Sequence, residues 1–234
     1  MNKIHDFSSI KGVLFDKDGT LFDFARTWEA WAQSFLKRIT PDAETAHRVG
    51  AEIGFDMELG NFSADSIVIA GSPDEVGLAL LPHLPGYDLP GLLEVLNEEA
   101  AQAPQVEAAP LVPLLTSFRS KGLTLGVATN DAEKPARAHL GQAGVTGLFD
   151  FIAGYDSGFG AKPKPGQLNA FAQQMGLAPS TCMMVGDSRH DLGAGRAAGF
   201  VTVGVLTGYA TSDDLIDLAD VILPDIGHLG DLLN

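Results

Sequence analysis

The 234-residue sequence predicts an α/β protein, a doubly wound parallel sheet into which an all-α domain is inserted. Three observations carry this. From Leu111 onward, β-branched and apolar runs alternate with helical patterns, as parallel strands joined by crossover helices require. Near the start, the apolar run Val13-Leu14-Phe15 leads straight into Asp16-Lys17-Asp18-Gly19-Thr20, a further strand with two carboxylates at its C-terminal end. Between these regions lie roughly 90 residues that do not alternate, far too many for an ordinary connection. The expected division is therefore 1–22 and 108–234 for the sheet domain and 23–107 for the insert.

Taken in order, Val13 to Asp16 supplies the first strand, and Gly19 lets the chain turn away behind it. In the insert, Phe24, Trp28, Trp31, Phe35 and Ile39 recur at helical spacing. The Trp28 and Trp31 stripe reads as the insert's own core rather than a substrate platform. Ala43 to Ile53, Asp74 to Leu84 and Gly91 to Ala103 also read as helices, and the loop from Gly54 to Gly60 is placed within reach of the site. Pro104, Pro110 and Pro113 mark the return to the sheet. There the pattern gives a strand at Leu123 to Ala128, a helix at Pro135 to Ala143 and a strand at Phe149 to Ala153. It continues with a helix at Gly166 to Met175, a strand at Cys182 to Val185, a helix at Asp191 to Ala198 and a strand at Val201 to Val205. A capped helix opening at Ser212 and a short strand at Val221 to Leu223 complete it.

Composition narrows the function. An apolar content of 45% is ample for a packed core, and no stretch reaches the roughly 18 uninterrupted apolar residues of a membrane span. Met1 to Gly12 has neither the basic nor the apolar region of a secretory signal, so a cytoplasmic enzyme is expected. The net charge of −15 repels nucleic acid and acidic membranes, and neither is an expected partner. Residues 23 to 107 hold 15 Asp and Glu against only Arg26, Lys37, Arg38 and Arg48. The single Cys182 lies in an apolar run and reads as strand packing.

Four short segments carry chemistry. In an open α/β sheet, ligands bind in the crevice beyond the strands' C-terminal ends, where Asp16 and Asp18 are placed. An isolated Asp-x-Asp-Gly is as readily a plain turn, so the other segments matter. Thr129 and Asn130 follow the strand that ends at Ala128 and offer a hydroxyl and amides to a phosphoryl oxygen. Lys162 stands in Gly160-Ala161-Lys162-Pro163-Lys164-Pro165, where prolines fix the loop and can aim an ammonium at the site, with Lys164 expected outward. Gly186-Asp187-Ser188-Arg189-His190-Asp191 follows another strand and adds two more carboxylates, while His190 reads as a surface residue. Several Asp with no clustered Cys or His select a hard ion, for which Mg²⁺ is the economical choice. The glycines at 193, 195 and 199 come after a helix has begun and read as close-packing positions, not as a dinucleotide fingerprint.

In this order, Asp-x-Asp-Gly-Thr, Thr-Asn, Lys-Pro-x-Pro and Gly-Asp-Ser-x-x-x-Asp resemble the motifs of the haloacid dehalogenase superfamily of phosphohydrolases. The resemblance implies a Rossmann-like core with an α-helical cap, similar to the phosphoglycolate phosphatases of that superfamily. It implies Asp16 as nucleophile, forming an aspartyl-phosphate, and Asp18 as general acid and base. Mg²⁺ would be held by Asp16, the Asp18 main-chain carbonyl and Asp187, with Asp191 acting through water. Thr129, Asn130 and Lys162 would clamp the phosphoryl oxygens. The cap would hinge near residues 22–24 and 105–110 and exclude water. The implied substrate is a small phosphorylated metabolite, phosphoglycolate first. Arg26, close to the nucleophile in sequence, is placed either against a substrate carboxylate or in a surface ion pair. A sugar-phosphate phosphatase and a β-phosphoglucomutase-like phosphotransferase remain alternatives, as does a signalling module that keeps phosphorylated Asp16 as a mark. A dehalogenase would have no use for Asp18, Asp187 and Asp191, and a phosphonatase would need a cap lysine where only Lys37 exists. Lys17, in a slot usually apolar or aromatic, and Phe22-Asp23-Phe24 depart from the family pattern.

Overall fold

The computed structural model describes residues 7–63, 65–69 and 71–233. Its centre is a six-stranded parallel sheet built from β1 (Gly12–Phe15), β4 (Thr124–Ala128), β5 (Phe151–Ala153), β6 (Cys182–Gly186), β7 (Val201–Val205) and β8 (Val221–Leu223). The spatial order is β5-β4-β1-β6-β7-β8. After β1 the chain adds strands on one side and then crosses back to place β6 on the other. This reversal opens a crevice beyond the C-terminal ends of β1 and β6, the place where such sheets bind ligands.

Alternation along β1 divides the core into two layers. Val13 and Phe15 face one side, with Leu125, Val127, Met183 and Val185. Leu14 faces the other, with Met184, Cys182 and Phe171. Helix α5 (Leu111–Ser120) covers the first face, and Phe118 stacks on Phe15 at 6.5 Å between ring centroids. Helix α7 (Gly166–Gln174) covers the second through Leu168 and Phe171. Both faces of β1 are therefore buried, which explains its uninterrupted apolar run.

Between β1 and α5 the chain builds a second apolar core from α1 (Phe24–Ile39), α2 (Ala43–Glu52), α3 (Pro73–Leu80) and α4 (Leu89–Gln102). The insert differs from the all-helical expectation by one hairpin, β2 (Phe55–Asp56) with β3 (Asn61–Phe62). Its turn is the 54–60 loop: the Asp56 carboxylate accepts the amides of Glu58 and Leu59, and Leu59 points into solvent. None of residues 54–60 lines the pocket at the crevice. The helix expected to run to Leu84 stops at Leu80 and ends in a 3₁₀ turn at Leu81–His83, where Pro82 lacks the amide needed to continue. The two crossings into and out of the insert run side by side, joined by Asp23 N–H to Val106 O at 2.8 Å and Ala108 N–H to Leu21 O at 2.9 Å. Among the described residues, no helix is long and apolar enough to cross a membrane.

Candidate active site

Sheet register assembles the site. β1 pairs with β6 so that Phe15 stands beside Val185, and Asp16 N–H donates to Val185 O at 2.8 Å. Asp16 and Asp187 thus leave adjacent strands at the same edge. Asp191 arrives from the first turn of α8 (Arg189–Ala198), where Ser188 caps the helix and donates Oγ–H to Asp191 Oδ2 at 2.6 Å. Glycine is needed around Asp187. A Cβ on Gly208 would lie 1.7 Å from its Oδ2, and one on Gly19 2.4 Å away at a φ of +79° that side chains rarely adopt.

The three carboxylates are buried, and one oxygen of each lies within 4.8 Å of the others. Lys162 Nζ is 2.6 Å from Asp16 Oδ1, 2.6 Å from Asp191 Oδ1 and 2.7 Å from the Ala128 carbonyl. Burial pushes the Asp16 carboxyl up to about 7 against the pull of Lys162, and Asp191 and Asp18 add repulsion. Burial, with Asp191 and Asp16, pushes Asp187 well above the usual carboxylate range. Burial opposes the Lys162 charge, but Asp16 and Asp191 outweigh it and raise the ammonium above the ordinary lysine range. When all four groups are ionised, three carboxylates and one ammonium leave two negative charges among oxygen donors alone. That donor set fits a hard divalent cation.

Thr129 and Asn130 stand at the same edge, with Thr129 N–H bonded to the Ala153 carbonyl at 3.0 Å. Thr129 Oγ accepts from Asp131 N–H at 3.0 Å, which leaves its hydroxyl hydrogen for a ligand oxygen. The Asn130 side chain has a further role. Its amide donates to Lys162 O at 3.0 Å and accepts Lys162 N–H at 2.8 Å, so it fixes the lysine's backbone. Asp191, expected to act on the metal through water, has its carboxylate within the acidic cluster.

Asp18 stays out of that cluster. Both its oxygens lie 2.7 Å from Lys17 Nζ, which is fully buried and 3.3 Å from Asp131 Oδ2. Burial opposes the Lys17 charge, but Asp18 and Asp131 more than restore it. The ammonium also donates to His139 Nδ1 at 2.9 Å, so the ring's hydrogen is on Nε2, which donates to the Ala100 carbonyl in α4 at 2.6 Å. Burial and then Lys17 push the His139 ring down to about 4, so it is neutral at physiological pH.

A pocket between sheet edge and insert is lined by every site residue predicted from the sequence except Arg26. On the core side it is lined by Asp16, Asp18, Thr129, Lys162, Asp187 and Asp191, and on the insert side by Phe24, Trp28, Trp31, Val68, Ile69 and Val76, among others. Arg26 lies outside. Its side chain is 70% exposed, 3.9 Å from Asp23, beside a separate cleft with residues 206–209.

The model of the haloacid dehalogenase-like hydrolases matches residues 10–199 of the chain. The chain belongs to this family. It is a phosphatase of that family, and its sheet and flanking helices are the family's fold. A phosphoglycolate phosphatase from Shigella boydii is 30% identical over 241 residues, covering 98% of this chain and 93% of that protein. A probable phosphatase, IndB, from Dickeya dadantii is 29% identical over 212 residues, covering 87% and 84%. The crystal structure of a predicted phosphoglycolate phosphatase from Haemophilus somnus matches with a TM-score of 0.72 at 20% identity, covering 97% and 99%. That last likeness bears on the fold alone.

Four residues of the phosphatase's pocket escaped the sequence reading. His190, expected at the surface, lines the pocket because α8 begins there and its first turn faces the crevice. Asp131 follows Thr129 and Asn130 closely enough to have been suspected from position alone. Trp28 and Trp31 belong to the insert's core and line the pocket as well.

Proposed function

We propose that this phosphatase hydrolyses a small phosphomonoester by two displacements at Asp16, with Asp18 as general acid and base and Mg²⁺ as cofactor. Mg²⁺, held by Asp16, Asp187 and Asp191 with the Asp18 main-chain carbonyl, would supply positive charge against the phosphoryl oxygens. The observation that carries the reading is Asp16 itself: a buried carboxylate 2.6 Å from Lys162 Nζ, at a sheet edge with two further carboxylates and a free hydroxyl hydrogen on Thr129.

In the first displacement an Asp16 carboxylate oxygen attacks phosphorus, the ester P–O bond breaks, and Asp18 gives its proton to the departing alkoxide. In the second, Asp18 takes a proton from a water that attacks the same phosphorus, and inorganic phosphate and the free Asp16 carboxylate result. Lys162 and Thr129 steady the equatorial oxygens, and Asn130 keeps Lys162 in place through its backbone. The insert acts as a cap over residues 23–107 and excludes bulk water, bending where the paired crossings near 22–24 and 105–110 meet the sheet.

Phosphoglycolate, which names the Shigella relative, is the reference substrate for this reading. The test is Mg²⁺-dependent phosphate release from phosphoglycolate, sugar phosphates and simple alkyl phosphates, alongside Asp16→Asn. Many turnovers per chain, abolished in the variant, are expected. At most one phosphate per chain would instead mark a signalling module, and full activity in Asp16→Asn would remove the nucleophile from the mechanism.

A further inference from the structure

The pocket is divided by chemistry. Every charged group among its described lining residues belongs to the sheet domain, and the side chains the cap presents are almost wholly apolar: Trp28, Trp31, Val68, Ile69, Val76 and Leu96. The lining residues able to carry positive charge, Lys162 and His190, both lie at the phosphate end, and Lys162 is engaged with two carboxylates. The cap's one lining hydroxyl, on Ser72, is turned to Glu75 at 3.2 Å in the capping box of α3. Arg26, the cap cation nearest the nucleophile in sequence, is in solvent.

From this we infer that the phosphatase selects phosphate esters of apolar alcohols, with the hydrocarbon of the leaving group seated against Trp28, Trp31, Val68 and Ile69. The inference rests on the phosphatase reading above and adds the substrate class. A glycolate carboxylate in that position would leave water with no cation to meet it, and the hydroxyls of a sugar would leave theirs with almost no partners. A hydrocarbon loses nothing there and gains by leaving water. One polar handle remains. Trp28 lines the pocket, and its buried Nε1 has no hydrogen-bond partner among the described residues, so a leaving group with a single acceptor oxygen is also accommodated.

The test is a homologous series of methyl, propyl and 3-methylbutyl phosphates with benzyl phosphate, set against phosphoglycolate and glucose 6-phosphate under Mg²⁺. Aryl esters are left out, because a phenoxide leaves readily whatever surrounds it. Expected is a rise in kcat/KM of about fourfold for each added methylene, and a value for 3-methylbutyl or benzyl phosphate at least about tenfold above phosphoglycolate. In Ile69→Lys, a half-buried position, the ratio should shift toward phosphoglycolate by about tenfold or more. A flat alkyl series, or phosphoglycolate or glucose 6-phosphate as the better substrate of the wild type, would overturn the inference and leave the phosphatase reading standing. No turnover of any ester would overturn both. The wild-type series decides the matter even if the variant does not fold.

Discussion

The raised Asp16 carboxyl ties metal affinity to pH in a way that can be measured. Mg²⁺, if held as proposed, would meet the ionised carboxylate and so compete with a proton for Asp16. With the group titrating at about 7, some nine-tenths of it is ionised at about pH 8 and about one-tenth at about pH 6. The apparent Kd for Mg²⁺ should therefore weaken by about tenfold between these values, or about 1.4 kcal/mol, and by more if Asp187 also holds a proton. Calorimetric titration in buffers of different ionisation enthalpy would report the affinity and the protons released together. Release approaching one proton per metal at about pH 6 is expected, falling by about pH 8. Equal affinity at both values, or tighter binding in acid, would refute the argument.

The same group acts on stability. Its folded value lies above the unfolded 3.8, so the stability it contributes is complete below 3.8 and is lost as pH rises through about 7. Fully ionised and without metal, it costs the fold on the order of 4 kcal/mol. Asp131, raised to about 6 chiefly by burial, has the same sign. His139, lowered to about 4, has the opposite one: it costs stability as pH falls from 6.5 toward 4. Above pH 6.5 the histidine drops out, and there metal-free Asp16→Asn should melt several degrees above metal-free wild type, at about 2–4 °C per kcal/mol. Mg²⁺ at about a hundred times its Kd should raise wild-type stability by about 2.7 kcal/mol and the variant's by far less.

Four further outcomes are expected. Asp18→Asn should slow turnover by about 10²–10⁴ with the fold intact, and near-native rates would remove it as acid and base. Arg26→Ala should leave kcat and KM within about twofold for every ester, because the side chain is exposed and outside the pocket; a large KM effect would bring Arg26 back to the site. Lys17→Met leaves the buried Asp131 and the half-buried Asp18 without their shared ammonium and should cost about 3–5 kcal/mol in urea unfolding, and native stability would show the ion pair to be dispensable. Gly208→Ala places a methyl against Asp187 and should weaken Mg²⁺ binding by about tenfold or more in the same calorimetry, whereas unchanged affinity would separate Asp187 from the metal.

What could be read in the sequence was what local patterns determine. The six parallel strands stood out because buried strands are short apolar runs, and the acidic groups stood out because each follows such a run. What could not be read depends on partners distant in the chain. Helix α5 begins among prolines that read only as the return to the sheet, although Leu111, Leu115 and Phe118 have the helical spacing its buried face requires. The β2–β3 hairpin has two residues per strand, too few to show a period of two. The clamp of Asn130 on Lys162 was not legible because it forms across 32 residues.

Lys17 shows the limit most clearly. A lysine two residues after a strand's last apolar position reads as exposed, yet here it is fully buried because Asp18, Asp131 and His139 meet around it. The same ammonium lies 5.4 Å from the Trp28 ring, and His139 passes its own hydrogen bond to Ala100. Two helices of the insert, α1 and α4, therefore rest on the network that holds Asp18. Separating cap from core would break the His139 hydrogen bond and wet the ammonium, weakening its hold on Asp18 through solvent screening. In the proposed mechanism Asp18, as acid and base, would thus be most firmly positioned when the cap is seated, joining exclusion of water to readiness for proton transfer within one set of side chains.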